Sequence, residues 1–284
     1  MRHGRYGDRW GGCMRARSSH PVVQPWRWLV RVLALCCWGV ASVSAFAQSV
    51  TFINPGKSNE AYWVAVTQVM QQAARSLGMQ LEVIYAERNR LLPVELAKEI
   101  AQRPARTKPQ YLIITNDYST APELLRALQG AGIPVFMAFS GVKGELRALT
   151  GRPRERFPFW LGSLEPRGED VGYLTAKALI DKARSMPQLR GGDGKFHFLA
   201  VAGDRSTTVS VARNAGMRRA VEEAKDVVFT QEVYAEWRRD RAQEQAKALY
   251  QRYPDVRLVW SGSDQMAFGA SKAESRGWMP CSAA

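Results

Sequence analysis

Val50-Thr51-Phe52-Ile53-Asn54-Pro55-Gly56 begins the region that decides the fold. Residues suited to extended backbone are stopped by a proline–glycine pair, a strong local terminator. The period then changes. Val64, Val66, Val69, Met70, Ala73 and Leu77 fall near helical spacing, and Gly78 marks a stop. The pattern predicts a strand over 50–54 and a helix over 61–77.

Outward from this unit the alternation continues. Strands are expected at 81–85, 111–115 and 134–139, with helices at 94–102 and 122–130. The run at 111–115 is nearly all apolar, as a parallel strand covered on both faces should be. An irregular stretch over 140–158, containing Gly-Arg-Pro-Arg-Glu-Arg at 151–156, reads as a surface excursion. Strands then follow at 159–164, 196–202, 227–234 and 257–260, with helices at 169–182, 208–224 and 241–250. Repeated β-α units imply an α/β fold of parallel sheets with right-handed crossovers. Two blocks of them imply two lobes, over 48–163 and 164–284. Ligands of such sheets bind beyond the carboxyl ends of the strands. That rule selects residues 54–63, 116–118, Ser140, 204–208 and 261–264, a mixture of amide, carboxylate, hydroxyl and aromatic groups.

The first 47 residues read differently. An arginine-bearing start leads into an apolar run over 29–45, broken by Arg31, and ends in Ala45-Phe46-Ala47. These are the three parts of a secretory signal, with cleavage expected after Ala47 and a periplasmic destination. The run is short for a permanent membrane helix. Cys36 and Cys37 suggest a lipid anchor, but Leu35 stands where a small residue is needed. Cleavage removes Cys13, Cys36 and Cys37 and leaves Cys281, so no internal disulfide, Cys₄ zinc site or dithiol centre is expected.

The leader also explains much of the charge. Seven arginines against Asp8 give it +6 of the chain's +14, which leaves +8 spread over helices and loops. A solvated basic surface fits this better than a nucleic-acid track, since no reader motif accompanies it. Catalytic constellations are poor as well. The chain lacks a GxxxxGK[ST] loop, a GxGxxG turn after a strand, HExxH and GxSxG. His197, the histidine remaining after processing, lies inside an expected strand. The reading is therefore a binder without cofactor or metal.

Several segments, in order, resemble the sugar-type periplasmic binding proteins of ABC importers, the ribose- and galactose-binding family. They are Phe-Ile-Asn-Pro-Gly at 52–56 with Tyr62-Trp63, then Ile-Ile-Thr-Asn-Asp at 113–117. Arg-Asn-Ala-Gly-Met at 213–217 and Trp-Ser-Gly-Ser-Asp at 260–264, continuing to Gly269-Ala270, complete the series. The resemblance implies two Rossmann-like lobes, the type I periplasmic binding protein fold, closing on a sugar or similar polyol. It implies delivery to a membrane permease; a sensor kinase is the alternative partner. Carried over by position, Tyr62 and Trp63 are the aromatic wall of the first lobe, and Asn116 and Asp117 its polar pair. Arg213 is the second-lobe arginine, and Trp237 the opposing aromatic face. Ser263 departs from the family's usual asparagine, while Asp264 matches, as ligand group or helix cap. The resemblance also implies that the last elements of the second lobe and the return to the first are missing. The expectation is a truncated chain that folds and binds poorly because apolar sheet edges are exposed.

Overall fold

The computed structural model describes residues 47–273. The leader up to residue 46, and the tail from 274 with Cys281, lie outside the described residues.

Strands β1 (Ser49–Asn54), β2 (Gln80–Tyr85), β3 (Tyr111–Ile114), β4 (Val135–Ala138) and β5 (Trp160–Leu164) form one sheet in the order β2-β1-β3-β4-β5. All of its pairings are parallel. Helices α1 (Ala61–Ser76), α2 (Leu92–Gln102), α3 (Ala121–Leu128) and the short α4 (Leu146–Thr150) connect these strands. A second sheet, of order β7-β6-β8, comprises β6 (Phe196–Ala202), β7 (Val227–Tyr234) and β8 (Leu258–Ser261), again wholly parallel. Its helices are α5 (Gly168–Arg184), α6 (Thr208–Glu223), α7 (Arg239–Arg252) and α8 (Asp264–Lys272). The α/β class with parallel sheets expected from the sequence is the fold observed.

Packing follows from strand periodicity. On β6, Phe196, Phe198 and Ala200 join Met217, Leu258 and Trp260 in one cluster. The alternate residues Leu199 and Val201 enter clusters on the other face, with Leu249 and Ala246 of α7 and Met266 of α8. A central strand covered on both faces needs this apolar run. In the first sheet, Ile53, Leu112 and Ile114 meet Leu124, Leu125 and Leu128 of α3, all 1% exposed or less. Each such aliphatic side chain contributes about 1.5–3 kcal/mol on burial.

The crossing of α5 and α6 uses glycine for close approach. A Cβ at Gly172 falls 1.9 Å from the Arg213 carbonyl oxygen, and one at Gly216 falls 1.9 Å from that of Glu169. Backbone touches backbone, and the seat of Arg213 on α6 is set by that contact.

Two differences from the sequence reading stand out. The stretch 140–158 is not a simple surface excursion: it carries α4, buries Thr150 and sends Val142 and Phe157 into the first core. A one-turn 3-10 segment, Asp117–Ser119, with Tyr118 and Ser119 at positive φ, links β3 to α3. Both features depend on tertiary contacts rather than periodicity.

Candidate functional site

In a parallel sheet the order of strands reverses at a switch point, and the loops on its two sides diverge to leave a crevice. In the first sheet that point lies between β1 and β3, and in the second between β6 and β8. The segments concerned are 55–60, 115–120, 203–207 and 262–263. The two sets approach each other. Arg90, after β2, donates from Nη2 to Ser206 Oγ at 3.1 Å, and Tyr62 lies in the electrostatic field of Arg213 and Asp264.

The first side is an aromatic cluster bordered by charge. Trp63 is 4% exposed, and its ring meets Tyr62 edge-on at 5.0 Å and Phe139 edge-on at 5.3 Å. Gly56 makes room for it, since a Cβ there would lie 1.8 Å from the indole. Tyr62 is 51% exposed. The structure therefore splits the expected wall: Tyr62 is the outward ring and Trp63 its buried support.

Asn116 is fully buried and turned inward. Its Nδ2 donates to the Gly141 carbonyl at 2.8 Å and its Oδ1 accepts from Ala121 N at 2.9 Å. The amide thus braces the loop and the start of α3, because α3 begins on a threonine without a side-chain cap. Its neighbour Asp117 differs. One carboxylate oxygen accepts from Ser140 Oγ at 2.9 Å, and the other stands 3.9 Å from Arg88 Nη1. Burial pushes the Asp117 carboxyl above its ordinary range, against the lowering pull of the Ser140 hydroxyl and Arg88. Arg88 in turn pairs through Nε with Glu60 at 2.9 Å and through Nη2 with the other Glu60 oxygen.

The second side centres on Arg213. Its Nη1 donates to the Gly262 carbonyl at 2.6 Å, while its buried Nε has no protein partner. Burial lowers its pKa, with Tyr62 and Asp264 opposing the shift. The guanidinium lies 5.9 Å from the Trp237 ring centre. Trp237, at positive φ, packs over Gly203, where a Cβ would fall 2.3 Å from the indole. Each sheet thus seats a tryptophan on a glycine just past an interior strand, β1 in the first and β6 in the second. Ser263 caps α8, accepting from Met266 N at 3.4 Å. The cap expected of Asp264 belongs to Ser263 instead; Asp264 is exposed and accepts from Gln265 N at 2.8 Å.

Of the residues singled out from sequence, Tyr62, Asp117, Arg213, Trp237, Ser263 and Asp264 therefore meet around one crevice, while Trp63 and Asn116 support it from behind. The strand-end rule takes in Glu60 only as part of the segment 54–63, and it leaves out Arg88 and Phe139. Arg88 follows β2, so the carboxyl-end rule, extended to that strand, selects it. Phe139 follows β4 and was open to the same reasoning.

Residues 50–276 match the periplasmic binding protein domain. A periplasmic sugar-binding protein from Pseudomonas fluorescens is 39% identical, with a TM-score of 0.69, over 80% of this chain and 63% of that one. The chain thus spans less than two thirds of that relative. An ABC transporter periplasmic solute binding protein from Actinobacillus succinogenes with bound D-allose shares the fold at 20% identity and a TM-score of 0.66, over 80% of this chain and 73% of that one. The binding protein component of the arabinose ABC transporter from a Shewanella species shares it at 19% identity and a TM-score of 0.63, over 80% and 68%. No curated protein matches in a sequence search. The family is one of binding domains rather than enzymes. With its parallel sheets and the crevice at their switch points, the chain belongs to the periplasmic binding protein family and has the type I fold.

Proposed function

We propose that this protein is an extracytoplasmic solute-binding protein that captures a neutral, polyhydroxylated molecule, a sugar, between two lobes, residues 48–163 and 164–284. In this reading the leader exports the chain and is cleaved near Ala47, and the loaded protein delivers its ligand to the permease of an ABC importer. The observation that carries the reading is the composition of the crevice. An exposed aromatic ring at Tyr62 and a half-buried one at Trp237 suit the carbon face of a sugar, while Asp117 and Arg213 offer an acceptor and a forked donor for hydroxyls. Charge supports neutrality. Glu60, Asp117, Asp204 and Asp264 stand among Arg88, Arg90 and Arg213, so neither sign dominates. The relatives named for sugars and for ABC transport point the same way.

Isothermal calorimetry of the purified protein against pentoses, hexoses, sugar phosphates and amino acids tests this. Saturable heat with a neutral sugar is expected. Binding confined to amino acids or to sugar phosphates would sink the reading.

A further inference from the structure

Arg88 lies outside the set of proposed ligand contacts, yet it sits where three strand ends converge. The segment that carries it is tied to β1 and its loop by three backbone hydrogen bonds: Ala86 N to the Asn54 carbonyl at 2.7 Å, Glu87 N to that of Gly56 at 3.0 Å, and Arg88 N to that of Pro55 at 3.1 Å. Glu87 and Arg88 are both at positive φ, 52° and 62°. Side chains with a Cβ hold that conformation at a cost and persist in it where surrounding contacts over-determine the backbone. Here those contacts aim one guanidinium. It is 18% exposed, pairs through two nitrogens with Glu60, and turns its third toward Asp117, itself 12% exposed. The order β2-β1-β3 makes this possible, because the loops after all three strands emerge side by side.

We propose that Arg88 is a positioning residue of the crevice, one that keeps the Asp117 carboxylate ionised and directed at the ligand while Glu60 limits how strongly it does so. The inference rests on the sugar-binding reading for its purpose, but its test needs no sugar. Asp117 meets a mixed environment. From the first sheet it is faced by Arg88, Glu60, Tyr118, Tyr62 and the Ser140 hydroxyl, and from the second by Asp204. The Asp204 and Glu60 charges favour the neutral acid, as burial does, and Arg88 is the cation that opposes them. A cation at this range lowers a carboxyl midpoint by about one pH unit or more.

Titration of the Asp117 carboxyl carbon by NMR, in purified protein labelled at aspartate, provides the readout. Arg88→Met should raise the midpoint by about one pH unit, and Arg88→Lys should recover most of that change by restoring the charge. Glu60→Gln should move it the other way, since it removes a neighbouring anion and frees Arg88 from its partner. An unmoved midpoint in a folded Arg88→Met protein overturns the proposal. If Arg88→Met does not fold, Glu60→Gln decides, and an unchanged or raised midpoint there overturns it. Because no ligand is present, a failure here leaves the sugar reading untouched, and a failure of the sugar panel leaves this titration interpretable.

Discussion

The two sides of the crevice solve the same problem differently. On the first, polar groups satisfy one another: Glu60 with Arg88, Asp117 with Ser140, and Asn116 with the backbone at Gly141 and Ala121. Among the described residues, Trp63 Nε1 is the buried side-chain atom left without a partner there. On the second, Arg213 Nε, Thr208 Oγ1, Ser210 Oγ and Ser261 Oγ are all buried without one. A buried donor or acceptor that lacks a partner costs about 1–3 kcal/mol. The first side is accordingly a finished platform whose polar groups are already paired within the protein. The second keeps hydrogen-bonding capacity that the described protein groups do not meet. That asymmetry suits a clamp, in which one jaw holds shape and the other gains contacts on closure.

The largest expected effect breaks the platform itself. Trp63→Ala removes a buried indole seated on Gly56 and should cost about 3–5 kcal/mol of stability in urea unfolding. Tyr62→Ala, an exposed ring, should leave stability nearly unchanged and weaken ligand binding instead. Equal losses from both variants would erase the distinction between wall and support.

Arg213→Ala comes next and probes the second jaw. It should weaken sugar binding by about 1.5–3 kcal/mol, read by calorimetry with the sugar that the panel identifies, as expected for hydrogen bonds to a charged group. An unaltered dissociation constant would make Arg213 a structural strut for the Gly262 carbonyl alone.

Acidification separates the two sides by charge. Because the folded-state pKa of Asp117 is raised from 3.8, its acceptor form is lost as pH falls through a value above that of an ordinary aspartate. Affinity should then drop by about tenfold per pH unit below the midpoint, if only the carboxylate form binds. Asp117→Asn should flatten that limb. The sign for stability is opposite. A carboxyl with a raised folded pKa is a burden that is fully present above that pKa and disappears as it protonates. Asp117→Asn should therefore be no less stable than the parent at neutral pH. An acid limb that persists in the variant would assign the titration to another group.

The smallest effect concerns the rim of the second side. Ser263→Ala deletes the cap of α8 and should cost about 1 kcal/mol in thermal or urea unfolding. Asp264→Ala, whose carboxylate reaches only the next residue's N–H, should cost less.

Local pattern carried much of this molecule. Strand β6, expected over 196–202, has those bounds, and β7 matches its expected 227–234, because apolar strand runs between turn signals are local events. The carboxyl-end rule likewise selected segments that lie at the switch points of both sheets. Where expectation missed, the cause was a contact between distant segments. Trp63 and Tyr62 are adjacent on one helix and so point to different faces, and it is Gly56 and Phe139 that decide which of the two rings is covered. Asn116 reads as a ligand group beside Asp117 until Gly141 and Ala121 take up its amide.

The amino-acid sequence by itself therefore determined the α/β class, the succession of units and the strand ends that border the switch points. These follow from backbone sterics and hydrophobic periodicity, which act over a few residues. Tertiary structure alone decided which polar groups are spent inside the protein and which remain for a ligand. Glu60, Arg88 and Asp117 lie on three separate loops, and they meet because the sheet order β2-β1-β3 sets those loops side by side. Strand order is chosen by the burial of whole faces, a global quantity that no local stretch of sequence contains.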